Sequence, residues 1–199
     1  ADLVFLAVHP PEVKNSLEAI KDNVQTETVM VSFAPKIKID TINQILKKGC
    51  PVIRMIPNAP SVINKGYNVI ACSNNLSFDT NKRHQKVMEL LKEPGELIHV
   101  DQEDKLEAYA VITGMGPTYL WFQLHELYQI AIEFGMDNKE ARKAISKMVK
   151  GSVETLFESE LSFDEVMDLI PFQPFSQHHD SFREVYRNVL IKMYNKLKS

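Results

Sequence analysis

Cysteine is scarce in this 199-residue chain: Cys50 and Cys72 are the only two, and they follow no metal-ligand or redox spacing. Two reduced thiols in a cytoplasmic protein are therefore expected, rather than a disulfide scaffold. No apolar run approaches the length of a membrane span, and none reads as a secretion signal. The net charge of -3 includes no basic block, so nothing in the charge pattern suggests nucleic acid. Internal repeats, low-complexity tracts and the GxGxxG phosphate fingerprint are missing. What remains is ordinary for a folded chain: 44% hydrophobic and 25% charged residues, enough for a sizeable core and one or two domains.

The first segment, "ADLVFLAVHPPEV", carries a continuous apolar run from Leu3 to Val8 that stops at His9-Pro10-Pro11. An unbroken apolar run ended by proline reads as a strand buried on both faces, because proline cannot continue the ladder. Val13, Leu17 and Ile20 then recur at helical spacing, and Thr28 to Phe33 form a second apolar run. Strand, helix and strand in that order make a βαβ crossover, so a parallel sheet is expected. The first strand should lie in the sheet interior, with outer neighbours that precede Ala1 and are not in this chain.

Further on, "IDTINQILKKG" reads as a short helix capped by Asp40 and stopped at Gly49. "CPVIRMIPN", "YNVIACSNN" and "ELIHV" read as strands, and "DTNKRHQKVMELLKEPG" as a helix with Asp79 at its cap. From Asp101 the good patterns are all helical, ending in an amphipathic helix through Phe182, Tyr186, Val189, Met193 and Leu197. A domain boundary is expected near residue 101.

Three short segments carry chemistry. In "AVHPP" the first strand ends, and ligands of parallel α/β sheets sit at carboxyl ends of strands. In "RMIPNAPSVINKG" prolines stiffen a loop that would hold Asn58 as donor and acceptor. In "VITGMGPTYLW" two glycines interrupt a helical pattern at about 1 kcal/mol each relative to Ala. A kink, or a close approach of backbone to something, would explain them.

Together, in this order, these segments resemble the pyrroline-5-carboxylate reductase family. "ADLVFLAVHPPEV" is similar to that family's strand ending in Ala-Val-Lys-Pro, and "VSFAPKI" to its Ser-x-Ala-Ala-Gly segment. "VIRMIPNAPSVINKG" resembles its Arg-x-Met-Pro-Asn-Thr-Pro stretch, closing on Gly66, and "ITGMGPTY" its Ser/Thr-Gly-Ser-Gly-Pro-Ala-Tyr. The likeness runs from residue 1 to about residue 160. It implies an α/β Rossmann-type parallel sheet over 1–101, incomplete because its first βα units are missing, followed by an all-α dimerisation and substrate domain over 102–199. At about 30 residues per βαβ unit, roughly 60 residues of such a domain would precede Ala1.

The resemblance implies hydride transfer from NADP or NAD cofactor to the C=N carbon of a cyclic imine, the last step of proline biosynthesis. Carried over by position, Ala7, Val8, His9 and Pro10 would line the cofactor, Ala34, Pro35 and Lys36 would lie near its nicotinamide end, and Asn58 would sit close by. Met115, Gly116 and Pro117 would pass under the substrate, and Glu160 would meet its ring nitrogen. No catalytic proton donor is assigned.

There are departures. His9 replaces lysine, Pro35-Lys36 replaces Ala-Gly, and Met115 replaces serine. The family's Gly-Gly-Thr-Thr grip on the substrate carboxylate is replaced by "LIPFQPFSQHHDSF". A carboxylate needs donors or a cation, and Phe172 and Phe175 supply neither. A reductase of the same superfamily with a more apolar substrate, or a non-catalytic dimerising relative, are the alternatives. Adjacent His178 and His179 are weak ligands, so no metal is expected. His125 reads as a core or interface residue. The helix "PTYLWFQLHELYQIAIEFG" is apolar on most sides, which predicts a homodimer. Neither a membrane nor a nucleic-acid partner is expected.

Overall fold

The computed structural model describes residues 1–76 and 80–198. By packing, the chain falls into two compact units. Residues 1–117 with 189–199 form the first and 118–188 the second.

The first unit is built on a five-stranded sheet in the order β1-β2-β3-β4-β5: Leu3–Leu6, Val29–Ser32, Val52–Ile56, Gly66–Cys72 and Gly95–His99. β1, β2 and β3 are parallel, connected by helices α1 (Pro10–Ile20) and α2 (Ile39–Leu46). β4 runs antiparallel to β3, and β5 is parallel to β4. The reversal has a simple cause. The link 57–65, with a 3-10 turn over Ala59–Ile63, is too short for a crossover helix. Helix α3 (Lys82–Lys92) precedes β5. Val13, Leu17, Ile42 and Leu46 pack with Met30 and Val52, while Val87 and Leu91 pack with Val31, Ile53 and Ile70.

Within the described residues β1 pairs only with β2, and Phe5 is 44% exposed and stacked on Phe33 at 5.7 Å. Two expectations change here. α2 is not capped by Asp40, which sits inside its first turn. Lys38 is the backbone cap, and the Ile39 amide donates to Glu103 Oε1 at 2.8 Å. A distant carboxylate therefore does the work a local cap would do. Asn81 caps α3, accepting from the Arg83 and His84 amides; Asp79 lies outside the described residues.

After β5 come α4 (Leu106–Tyr109), a π-helical turn (Ala110–Gly114) and α5 (Gly116–Glu133). The kink expected at Gly114 is this turn: the Met115 amide donates to the Ala110 carbonyl at 3.0 Å. The second unit continues with α6 (Asn138–Glu158), α7 (Phe163–Asp168) and the start of α8 (His179–Lys198). Asp137 caps α6 through the Lys139 and Glu140 amides, and Gly135, at φ 92, separates it from α5. Ser162 and Glu165 form a capping box on α7. The last residues of α8 belong to the first unit, where Leu197 is buried with Leu106 and Val111.

Candidate functional site

The carboxyl ends of β1, β2 and β3 lie together because these strands are parallel and in register. Ala7, Val8 and His9 follow β1 and are exposed, and Pro10 opens α1. Pro10 and Pro11 remove the first amide donors of that helix, so α1 offers no ordinary phosphate cradle. Ala34 is buried after β2 and its amide donates to Ser32 Oγ at 3.3 Å. Lys36 is exposed at φ 71, a left-handed conformation costing a non-glycine residue roughly 1–2 kcal/mol. Pro10, Lys36, Lys38, Thr41, Glu107 and Leu197 contribute to one cavity of about 420 Å³. Asp104, beside Lys38 at 2.9 Å, holds the ammonium pKa up while its own carboxyl is held down, the bond between them being the main cause.

Asn58, at the end of β3, is held from three directions. Its Oδ1 accepts from the Tyr67 amide at 2.9 Å, its amide donates to Asn68 Oδ1, and its carbonyl accepts from the Ser61 amide. Ser61 Oγ also donates to Asn68 Oδ1 at 2.9 Å. Gly66 closes this loop where a Cβ would collide with Ser61 Oγ. With Oδ1 engaged, the Asn58 side-chain amino group has no acceptor among the described residues.

The Gly114 turn comes against the same strand end. A Cβ on Gly114 would lie 3.3 Å from Ile56 Cγ2 and 3.9 Å from the Pro57 carbonyl, whereas one on Gly116 would meet nothing within 4 Å. The close approach thus belongs to Gly114, and open space adjoins Gly116. Asn58 and Met115-Gly116-Pro117 are thereby brought into one neighbourhood. Glu160 lies in the second unit, exposed, past the end of α6.

Residues 103–170 match the family described as pyrroline-5-carboxylate reductase dimerisation. Beyond that stretch, most of the chain is similar to pyrroline-5-carboxylate reductases. The reductase of Staphylococcus epidermidis is 27% identical over 166 residues, covering 83% of this chain and 60% of that protein. Pyrroline-5-carboxylate reductase 1 of Bacillus subtilis is 25% identical over 158 residues, 79% of this chain and 52% of that one. This chain therefore spans less than two thirds of the length of these curated relatives. Among solved structures, Plasmodium falciparum pyrroline carboxylate reductase with NADP bound aligns over 100% of this chain and 76% of its own, at TM-score 0.80 and 19% identity. The Coxiella burnetii pyrroline-5-carboxylate reductase covers the chain equally, at TM-score 0.66 and 24% identity. The α/β sheet followed by helices is thus the family's fold.

Sequence reasoning missed one part of this site. Arg54, with a side chain 1% exposed in the middle of β3, donates to Glu103 Oε1 at 2.7 Å and to Glu107 Oε1 at 2.9 Å. An arginine inside an apolar strand demands buried carboxylates, and the acidic start of the first helix after β5 was the available signal. The thiols are free and suppressed: burial pushes Cys50 upward and Cys72 to about 12. His125 is exposed on α5, its Nε2 3.4 Å from Gln129 Nε2, beside a second-unit cavity of about 610 Å³ that Tyr128 and Arg142 also line. In the stretch 169–177, Phe172 and Phe175 are exposed, and Gln173 Nε2 donates to the Met167 carbonyl.

Proposed function

We propose that the protein is an NAD(P)-dependent oxidoreductase that reduces the C=N bond of a cyclic imine. The observation that carries this is Asn58: oriented by the Tyr67 amide, it keeps free donors at the carboxyl end of β3, beside the open space at Gly116. The dinucleotide supplies a hydride to the imine carbon; the ring nitrogen gains a proton, whose donor is not assigned. Ala7, Val8, His9 and Pro10 hold the cofactor along the strand ends, with Ala34, Pro35, Lys36 and Asn58 towards its nicotinamide. Met115, Gly116 and Pro117 support the substrate and Glu160 meets its nitrogen. In this division of labour residues 1–101 serve the dinucleotide and 102–199 serve substrate and dimerisation, in a cytoplasmic protein.

The same reading makes the protein a homodimer. In the second unit the only fully buried apolar residues among those described are Ala131 and Ala141. Trp121, Phe122, Phe134 and Phe157 are exposed. Helices that bury so little of their apolar surface need a partner. No described helix is long and apolar enough to cross a membrane. Sedimentation as a monomer at micromolar concentration would overturn the dimer.

The exposed Phe172 and Phe175 favour a second substrate, an imine without a carboxylate. NADPH consumption with pyrroline-5-carboxylate and with unsubstituted pyrroline separates the two. Turnover of the first supports the proline step, and turnover of the second alone supports the apolar substrate. If NADPH binds saturably and neither imine is reduced, the reductase reading fails.

A further inference from the structure

We infer that Arg54 and Glu107 form a latch that positions the Gly114–Pro117 turn at the end of β3. Its catalytic consequence rests on the reductase reading above; the latch itself does not. Arg54 and Ile56 are alternate residues of the central strand and share one sheet face. Glu107 lies one helical segment before Gly114. The α4–π-turn segment packs Leu106, Ala110 and Val111 in the cluster that holds Ile56, and two directional contacts set its placement on β3. One is ionic, Arg54 Nη2 to Glu107 Oε1 at 2.9 Å. The other is steric, Gly114 against Ile56. Two separated attachments set both the position and the rotation of a helical segment, which one attachment cannot do. Met115, Gly116 and Pro117 follow Gly114 directly, so their placement beside Asn58 follows from the latch.

Glu103 extends it. Its Oε1 accepts from Arg54 Nη1 and also from the Ile39 amide at the head of α2. One guanidinium thereby connects β3, the segment after the Ala34–Lys36 loop and the helix that leads into the turn. The planar fork is needed, because a lysine ammonium cannot serve two carboxylates in this geometry. Arg54 Nε and Glu107 Oε2 are buried without hydrogen-bond partners, so among the described residues no second side-chain hydrogen bond joins Glu107 to β3. Arg54 is therefore a positioning residue that acts through the turn.

Hydrogen exchange and kinetics on the purified protein test this with Glu107→Gln and Arg54→Lys, using as control Lys21→Ala, which removes the exposed Lys21–Glu18 pair at the end of α1. Exchange across 110–117 is expected to accelerate about tenfold in both latch variants while β1 and β2 keep wild-type rates. Unchanged exchange at 110–117, or equal acceleration throughout the sheet, overturns the inference. If Glu107→Gln does not fold, Glu107→Asp replaces it, with the same direction expected at smaller size. In turnover, kcat/KM for the imine should fall on the order of a hundredfold with the NADPH Kd unchanged. A Kd that rises in step with that loss overturns the positioning role. If the wild type reduces no imine, the reductase reading fails and the exchange result alone decides the latch.

Discussion

The two units solve the burial problem in opposite ways. The first surrounds its sheet with apolar side chains and even encloses an arginine, matching it with two carboxylates. The second presents Trp121, Phe122 and Phe157 outward and fully buries only alanines among its apolar residues. A unit that hides its charges can be rigid alone, and a unit that shows its aromatics is completed by another surface.

The strongest way to break the contrast is Arg54→Met. It strands the buried Glu107 carboxylate and the partly buried Glu103 and should cost the first unit about 3–5 kcal/mol in urea unfolding. Gly114→Ala is next. Its Cβ would sit 3.3 Å from Ile56 Cγ2, a misfit expected to cost about 1–3 kcal/mol, while Gly116→Ala, facing open space, should leave stability unchanged and lower imine turnover. Ser162→Ala removes the capping box of α7 and should cost about 1 kcal/mol, read as faster local exchange in the second unit alone. Phe157→Ser should alter the first unit's unfolding by less than about 0.5 kcal/mol yet weaken self-association in sedimentation.

The smallest effect is a pH dependence. Asp104 has its pKa lowered in the fold by Lys38, so its contribution is present above its unfolded pKa and is lost as pH falls through the folded value. Lys38 has its pKa raised, so its contribution is lost only as pH rises through its folded value. Both side chains are more than half exposed, which keeps the effect small. Lys38→Ala should reduce the shift in urea midpoint between about pH 7 and about pH 3. An unchanged shift would exclude the pair as a source of acid sensitivity.

Much of the first unit was legible because local signals and burial agree there. Apolar runs ended by prolines or glycines mark the strands, and Gly114 betrayed its kink by its cost in a helix. Asn58 was legible as a stiffened polar group, though not the Tyr67 amide that orients it. The α2 cap was misplaced because local spacing favoured Asp40, while the donor at Ile39 is satisfied by Glu103, distant in sequence. The reversal of β4 is a matter of pairing, which a single strand's pattern does not contain.

By itself, the sequence determined which segments are strands and helices, where they stop, and that the helical part carries more apolar surface than one stripe. These properties depend on residues a few positions apart, where spacing and backbone chemistry act directly. Only the tertiary structure decided that Arg54 meets Glu103 and Glu107, that Gly114 rests on Ile56, and that Asn58 retains unspent donors. Those contacts join residues tens of positions apart, and a buried charge or a close approach finds its partner only once the intervening chain has folded around it.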